Sequence, residues 1–275
     1  MATIPRLTEP LPRDYGWKRS LSVPTVFRWL KAGWNDFLVQ PVSSLAYGVA
    51  VFAVSLVMVA GLFKLNIDYI LFPALSGFMI FAPVIALGLY EKSRRLSYGE
   101  PVNLLAMIFV RPRSGGQVIF TGVLLMLLML LWMRAAVILY ALFFGLTPFP
   151  GLDDVTRMLF ATQSGGLLLF VGTAIGGLFA AFSFAISVIS LPMLLNERTD
   201  ALTAMGTSLA LVWNNLFVMI VWGLVVLALT LLSIATAFLG LIVAFPVLGH
   251  ATWHAYRTMR QDPVGDAMVE VLDGA

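Results

Sequence analysis

Cysteine and charge are the two things this sequence has least of. Cysteine is absent, and Asp, Glu, Lys and Arg together make up 11% of the 275 residues. The lack of cysteine excludes disulfides, thiolate nucleophiles and cysteine-held metals or iron–sulfur clusters. Soluble domains carry roughly 25% charged residues. Because 60% of this chain is hydrophobic, a soluble fold cannot bury its apolar surface, and composition predicts a polytopic membrane protein.

Motifs of common enzymes are also missing. The sequence has no phosphate-binding glycine loop, no nucleophile elbow and no HExxH zinc motif. The formal net charge of +3 does not indicate nucleic-acid binding, because the basic residues are sorted by membrane side. The first forty residues are too polar and too rich in proline to form the apolar core of a signal peptide. We therefore expect a protein that is not an enzyme and does not bind nucleic acid.

Long apolar stretches, in contrast, fill the chain. They cover residues 42–63, 69–90, 118–145, 165–195 and 216–256, and each reaches the roughly 18–20 residues that cross a bilayer. The last is about twice as long as one crossing requires at ~1.5 Å per residue. We divide it near "SIATAFLG" into helices at 216–235 and 237–256, with one broken span as the alternative. The prediction is an all-α membrane protein with about six transmembrane helices.

The distribution of positive charge supports this count. With six helices and the N-terminus inside, fourteen of the seventeen Lys and Arg residues lie on the inner side. They are Arg6, Arg13, Lys18, Arg19, Arg28, Lys31, Lys92, Arg94, Arg95, Arg111, Arg113, Arg198, Arg257 and Arg260. Lys and Arg accumulate in cytoplasmic loops, so both termini are expected in the cytoplasm. A count of five helices would move only Arg257 and Arg260, so charge favours six without excluding five.

Three repeated units are suggested by amphipathic stretches that precede the odd-numbered helices. These are "PTVFRWLKAGWNDFLVQP", "GEPVNLLAMIFVRPRSG" and "TDALTAMGTSLALVWNN". Each unit would contain an interfacial helix followed by a transmembrane hairpin, and chance similarity of apolar segments is the alternative. Thr199 or Asp200 is the expected N-cap of the third interfacial helix. In the first, one helical face carries Val26, Phe27, Leu30, Trp34, Phe37 and Leu38.

The predicted domain organisation follows from these units. Residues 1–20 form a flexible cytoplasmic N-terminus, residues 21–257 a six-helix membrane domain, and residues 258–275 a short acidic cytoplasmic tail. The basic, aromatic stretches "YGWKRSLSVPTVFRWLKAGW" and "YEKSRRLSYG" are expected to lie against anionic lipid headgroups.

Four motifs together resemble a known family. "GWNDFLVQPVSSLAYG", "LGLYEKSRRLSYGE", "SLPMLLNERTDALTAMGTSL" and "PVLGHATWHAYR" are similar, as a set, to predicted bacterial integral membrane proteins whose domain has no assigned function. The resemblance covers about residues 20 to 260 and implies a multi-helix protein of the bacterial inner membrane, without an activity. Some members are labelled cytochrome c oxidase subunit I. A haem–copper core needs more histidines than the two in this chain, so no such core is expected.

The two histidines, in "GHATWHAYR", are the first candidate site. His250 and His254 share one helical face, and imidazoles so placed bind zinc or copper when other residues complete the ligand set. Glu91 and Glu197, at the inner ends of helices two and four, are the candidate partners. The two histidines cannot both be axial ligands of one haem, because they project from the same side of the helix. The favoured alternative is that "GHATWHAYR" forms part of an aromatic belt at the membrane surface. Glu91 would then pair with a neighbouring arginine. No cofactor is expected unless a metal ion binds to the histidines.

Arg134 is the second candidate, because it is the sole charge deep within a predicted span. A charge at this depth is costly and usually functional. It is expected either to contact an anionic solute or to pair with Asp68, Asp153 or Asp154 in the outer loops.

A stripe of small residues on the fourth helix is the third candidate. Gly172, Gly176 and Ala180 recur at a spacing of four, and such stripes let helices approach closely. Packing within the bundle and a dimer face are the two interpretations. The prolines at 73, 83, 192 and 246 are expected to kink helices rather than to bind an ion.

Three functions remain open on this basis. The leading hypothesis is a helper or structural component of a membrane complex, supported by the absent catalytic motifs and the interfacial helices. A small transporter or channel for an anionic solute would use Arg134. A protein that handles a metal or haem would use the histidines.

Overall fold

The computed structural model describes residues 16–145, 149 and 151–260, so most of both predicted terminal segments falls outside it. All secondary structure in this part of the chain is helical, with no strand. The helices are α1 (Pro24–Leu38), α2 (Pro41–Lys64), α3 (Leu71–Ile85), α4 (Leu87–Ser97), α5 (Leu104–Ile108), α6 (Gly115–Phe144), α7 (Leu152–Ala161), α8 (Gln163–Ser187), α9 (Ser190–Asn196), α10 (Ala201–Asn214), α11 (Leu216–Ala235) and α12 (Leu241–Arg260). The predicted all-α class is confirmed.

Five segments among the described residues are long and apolar enough to cross a membrane. They are Pro41–Lys64, Asp68–Ser97, Gly115–Phe144, Gln163–Asn196 and Leu216–Ala235. Two of them contain a break, between α3 and α4 and between α8 and α9. The chain is thus a multi-pass integral membrane protein by length and composition.

The apolar stretch 216–256 divides into two helices, as predicted. α11 ends at Ala235, and a turn containing Ala237 and Phe238 at positive φ reverses the chain into α12. α12 is not among the five apolar segments. Its neighbours are α1, α2, α4, α9 and α11, so most of its side chains face protein and polar residues find partners there. It runs to Arg260, three residues past the predicted domain boundary. Its role as a sixth span stays a prediction.

Helices occur at the three places where the repeat predicts interfacial helices, but they differ in length, and their position at the membrane surface stays a prediction. α1 and α10 have 15 and 14 residues, whereas α5 has five. Asp200 caps α10 by accepting a hydrogen bond from the Thr203 amide at 2.9 Å, which confirms one of the two predicted caps. Asn103 caps α5 in the same way through the Ala106 amide.

The predicted apolar face of α1 is divided between the protein interior and the exposed surface. Val26 and Phe37 are buried, whereas Phe27, Trp34 and Leu38 are exposed. Trp29 and Gly33 complete the buried face. A Cβ at Gly33 would lie 2.5 Å from the backbone nitrogen of Ala251, so α1 approaches α12 most closely at a residue with no side chain. A hydrophobic pattern cannot mark such a residue.

The helix breaks leave backbone groups that side chains satisfy. At the α3–α4 break, the Tyr47 hydroxyl donates to the Ile85 carbonyl at 2.5 Å. At the α8–α9 break, the Ser208 hydroxyl donates to the Ala185 carbonyl and accepts from the Ile189 amide. The Ile85 and Ala185 carbonyls and the Ile189 amide, near Pro83 and Pro192, therefore have protein partners at the two breaks.

All the helix ends predicted to face the cytoplasm meet at one end of the molecule. Ser114, before α6, accepts a hydrogen bond from the Thr199 amide at 3.0 Å and donates to the Glu197 carbonyl. Asn215, before α11, accepts from the Arg19 amide at 2.8 Å. Asn196, at the end of α9, donates to the Tyr256 hydroxyl of α12. This shared end is the topology that three hairpins require.

Candidate functional site

His250 lies inside the protein, where α12 crosses α2 and α4. Its side chain is 0% exposed. Nδ1 lies 3.1 Å from the Leu89 carbonyl oxygen and 2.8 Å from Ser93 Oγ, and Nε2 lies 2.9 Å from Ser44 Oγ. Because a carbonyl can only accept, Nδ1 carries the proton and Nε2 accepts from the Ser44 hydroxyl. His250 is thus a neutral imidazole between two serines.

Lys92 lies beyond Ser44, and it too is 0% exposed. Its ammonium donates to Ser44 Oγ at 2.8 Å, to the Gln40 carbonyl at 3.2 Å and to Ser43 Oγ at 3.3 Å. Gln40 joins α1 to α2 and has a φ of 52°, in the left-handed region. Lys92 therefore holds the corner between α1 and α2. Three neutral oxygens stabilise its charge, and no carboxylate of the described residues bonds to it.

Asp36 and His254 complete the set on the other side of His250. His254 Nε2 lies 2.9 Å from Asp36 Oδ2, and Ser93 also donates to this carboxylate. Burial alone would raise the pKa of the Asp36 carboxyl, but the hydrogen bonds from His254 and Ser93 outweigh it, so the pKa lies below its ordinary value. Asp36 and His254 retain 16% and 26% of their side-chain exposure.

These residues form one continuous hydrogen-bonded cluster. We call it the polar cluster, and it comprises Asp36, Ser44, Lys92, Ser93, His250 and His254. Its members come from α1, α2, α4 and α12. The cluster runs from a partly exposed Asp–His pair to a fully buried ammonium, and its four inner residues are 0% exposed.

The structure does not bring the proposed metal partners to the histidines. Glu91 is 2% exposed and accepts hydrogen bonds from Arg94 at 2.8 Å and Arg95 at 2.7 Å. Glu197 accepts from the Tyr256 hydroxyl at 2.7 Å and pairs with Arg260 at 2.6 Å. Across the described ranges, no group of three or more His, Asp or Glu residues is placed to hold a metal ion. The geometry gives the histidines hydrogen-bond partners instead.

The aromatic-belt interpretation of "GHATWHAYR" is wrong. Belt residues face the lipid headgroups, whereas Trp253 is 0% exposed and Tyr256 2%. Trp253 donates to Ser97 Oγ at 3.1 Å, which fixes α12 against α4. In the motif "YEKSRRLSYG", Tyr90 to Ser93 are likewise buried among protein helices, whereas Tyr98 is exposed. Contact with lipid headgroups stays a prediction for the later part of this stretch alone.

Arg134 lies on the exposed side of α6. It forms no ion pair or hydrogen bond with other residues that the structure describes. Ten residues of α6 follow Arg134, and nineteen precede it. The helix rises ~1.5 Å per residue, so its C-terminal end is the nearer one. The guanidinium can extend along the helix toward the membrane surface at that end.

A large apolar cleft lies on the opposite side of α12 from the polar cluster. Its volume is about 1750 Å³, and it is lined by residues of α3, α6, α8, α10, α11 and α12. α12 contributes Leu248, Gly249 and Thr252 to the cleft, while His250 and His254 face the polar cluster. One helix therefore separates the two features.

The small-residue stripe of α8 faces this cleft. Gly172, Gly176 and Ala180 all line it. A Cβ at Gly176 would meet the ring of Trp132, but a Cβ at Gly172 would meet nothing within 4 Å, and the same holds for the neighbouring Gly177. Packing within the bundle thus accounts for one glycine of the stripe and leaves open space in front of another.

Two buried polar atoms beside the cleft have no partner in the described part of the chain. They are Nε1 of Trp222 on α11 and Oγ of Ser187 on α8, and both residues line the cleft. Each residue is 0% exposed. A buried donor left without an acceptor costs about 1–3 kcal/mol, so a bound group with an acceptor atom would stabilise this region.

Sequence reasoning found the histidines but missed the other members of the polar cluster. Lys92 lies between two charged or polar neighbours in a basic stretch, which indicates a surface. One signal was present, because Leu89, Lys92, Ser93 and Leu96 follow the i, i+3, i+4, i+7 spacing of a buried helical face. The spacing places Lys92 on an apolar face, where a lysine needs buried partners.

Comparison with known proteins supports the membrane assignment. No curated protein and no solved structure matches the chain. One family model, described as predicted integral membrane protein (DUF2189), matches residues 71–196, which span α3 to α9. The matched region is narrower than the 20–260 expected, and it includes "LGLYEKSRRLSYGE" while ending within "SLPMLLNERTDALTAMGTSL". The family predicted from the motifs is thereby confirmed over residues 71–196, where this multi-pass membrane protein matches DUF2189.

Proposed function

We propose that this protein is a non-enzymatic component of a membrane complex, and that its apolar cleft receives one transmembrane helix of a partner protein. The observation that carries the proposal is the open space in front of Gly172 and Gly177 on the cleft wall. Small residues let two helix backbones come together in lipid. A glycine that faces open space in a membrane domain is suited to a helix from outside the fold.

The size of the cleft supports a helix rather than a small solute. Its volume of about 1750 Å³ exceeds the roughly 300–1,000 Å³ typical of small-molecule pockets. Helix association in lipid relies on close packing and on hydrogen bonds between helices.

The location follows from charge. We assign the protein to a bacterial inner membrane, with both termini and the polar cluster on the cytoplasmic side. Supporting this, basic residues such as Arg94, Arg113 and Arg260 belong to the end where the interfacial helices meet. The exposed basic residues Arg111 and Arg257 and the exposed aromatic side chains of α1, Phe27 and Trp34, would contact anionic headgroups. No observation favours anion transport, since Arg134 is not among the residues lining the cleft.

Two glycine substitutions test the cleft. Gly177→Leu places a side chain in the cleft, and its Cβ position has nothing within 4 Å. Gly166→Leu is the matched control on the same helix, since it also has open space but does not line the cleft. Tagged protein would be purified mildly from native membranes and its associated proteins measured by mass spectrometry. We expect a partner retained by wild type and Gly166→Leu, and reduced at least tenfold by Gly177→Leu.

A photo-reactive side chain at position 177 then identifies the occupant. A crosslinked peptide from the transmembrane segment of that same partner supports the proposal. Crosslinks to a second copy of this chain would overturn it in favour of self-association. Adducts of lipid mass alone, with equal recovery of associated proteins from all variants, would overturn it in favour of a lipid site.

A further inference from the structure

The polar cluster provides an unbroken path for a proton. Lys92 Nζ to Ser44 Oγ is 2.8 Å, Ser44 Oγ to His250 Nε2 is 2.9 Å, and His250 Nδ1 to Ser93 Oγ is 2.8 Å. Ser93 bonds to the Asp36 carboxylate. The first three links are within ordinary hydrogen-bond distance, and Ser44, His250 and Ser93 can each both donate and accept.

The Lys92 end of the path is buried in the protein, while the Asp36 end is partly exposed. Ser44, Lys92, Ser93 and His250 are 0% exposed, and Asp36 and His254 are partly exposed. An ionisable side chain inside a membrane domain is expensive and is a functional site by default. Neutral oxygens are the only hydrogen-bond partners of Lys92 among the described residues, and the Asp36 carboxylate attracts its charge without bonding to it.

The charged groups around Lys92 leave Asp36 as its proton exchange partner. On α4 itself, Glu91 is engaged by Arg94 and Arg95. On α1, Asp36 accepts from His254 of α12. On α2, the neighbouring titratable group is Tyr47, whose hydroxyl donates to the Ile85 carbonyl. Asp36 is thus the carboxylate connected to Lys92 through hydrogen bonds.

We propose that Lys92 is an internal proton-binding site, and that Ser44, His250, Ser93 and Asp36 relay protons between it and the aqueous side of the cluster. In one transfer, Lys92 gives a proton to Ser44, and the Ser44 proton passes to His250 Nε2. The Nδ1 proton passes to Ser93, and the Ser93 proton passes to Asp36. One ammonium and one carboxylate become a neutral amine and a carboxylic acid, so charge and protons balance.

The chain has four lysines, Lys18, Lys31, Lys64 and Lys92, which makes the relay measurable. Protein with ¹⁵N-labelled lysine in nanodiscs of phosphatidylglycerol and phosphatidylethanolamine gives four side-chain signals, and Lys92→Met assigns the buried one. The measured quantity is the rate at which the Lys92 ammonium exchanges protons with water. Ser93→Ala breaks the path without removing a bond to Lys92. We expect this variant to slow exchange at Lys92 at least tenfold.

Two further variants make the test decisive. Ser97→Ala is the matched control, because Ser97 lies one turn along α4 and bonds to Trp253 and the Ser93 carbonyl without joining the path. It should leave the Lys92 rate unchanged. His250→Gln keeps a donor and an acceptor but cannot pass a proton, so it should slow exchange as Ser93→Ala does. Unchanged exchange in Ser93→Ala and His250→Gln, or equal slowing in Ser97→Ala, would overturn the relay. None of these variants changes a residue that lines the cleft. The result for the proton relay is therefore independent of whether a partner helix binds in the cleft.

Discussion

Lys92 shows how a single residue determines the local architecture. Its ammonium bonds to the Gln40 carbonyl and to Ser43 and Ser44, so one side chain of α4 fixes the position where α1 turns into α2. Asp36 and His254 then tie α1 to α12. The docking of α1 therefore depends on a few charged or polar contacts as well as on apolar packing.

Asp36 makes this docking sensitive to acid. Since the pKa of its carboxyl is lowered in the folded protein, the carboxylate contributes stability above the unfolded pKa of about 3.9 and loses it as pH falls through the lowered value. Asp36→Asn should lower the free energy of unfolding at pH 7 by about 1.5–3 kcal/mol. It should also reduce the loss of stability between pH 5 and pH 2.

The stability of purified protein in detergent measures this effect by its unfolding transition at each pH. Asp154→Asn is the control, because Asp154 is exposed on α7 and should change neither quantity by more than a few tenths of a kcal/mol. An acid response of Asp36→Asn equal to that of wild type would refute the role of Asp36.

At the scale of helices, α12 is the element on which the fold depends. It contacts α1, α2, α4, α9 and α11, and its polar residues His250 and Thr252 are buried against them. Gly33 on α1 and Gly48 on α2 both face its backbone. Because glycine has no side chain, α1 and α2 can both pack directly against the backbone of α12.

Gly33→Ala should be destabilising, because its Cβ would lie 2.5 Å from the Ala251 nitrogen and 2.7 Å from the Val247 carbonyl. Overpacking of this kind costs about 1–3 kcal/mol. Gly206→Ala on α10 is the control with the opposite sign, since nothing lies within 4 Å of its Cβ position and alanine favours a helix by ~1 kcal/mol. Thermal unfolding in the same detergent compares the two. Equal stability of both variants would contradict close packing at Gly33.

At the scale of the whole molecule, three hairpins place their inner ends together. The hydrogen bonds of Ser114, Asn196 and Asn215 connect these ends across the bundle. The turn after α11 and the chain after α12 should therefore lie on opposite sides of the membrane.

The natural absence of cysteine allows a direct test of this topology. Single cysteines would replace Leu65 and Leu239, which are exposed at the predicted outer turns, and Arg111 and Arg257 at the predicted inner end. A maleimide that cannot cross membranes should label the first two in spheroplasts and the second two only after lysis. Labelling of Arg257→Cys from outside would mean that α11 and α12 do not form a spanning hairpin.

Sequence predicted the helices better than the polar cluster, for a physical reason. The division of 216–256 follows from the length of one crossing, and the Asp200 cap follows from local hydrogen-bond chemistry. The burial of Lys92, Trp253 and Tyr256 depends on helices that are distant in sequence. Hydropathy assigns a lysine or an interfacial aromatic to a surface, and it cannot show that α12 will cover that surface. The sequence therefore indicated two of the six residues of the polar cluster, His250 and His254.

The contact between α1 and α12 also bears on how the protein is made. Asp36 and His254 are 218 residues apart, so a ribosome synthesises α1, α2 and α4 well before α12 emerges. During that interval Lys92 already has its bonds to Gln40, Ser43 and Ser44, but Ser44 and Ser93 lack His250 and Asp36 lacks His254. The native polar cluster can form only after translation has passed residue 254, and until then lipid, water or an insertion factor must accommodate the Asp36 carboxylate.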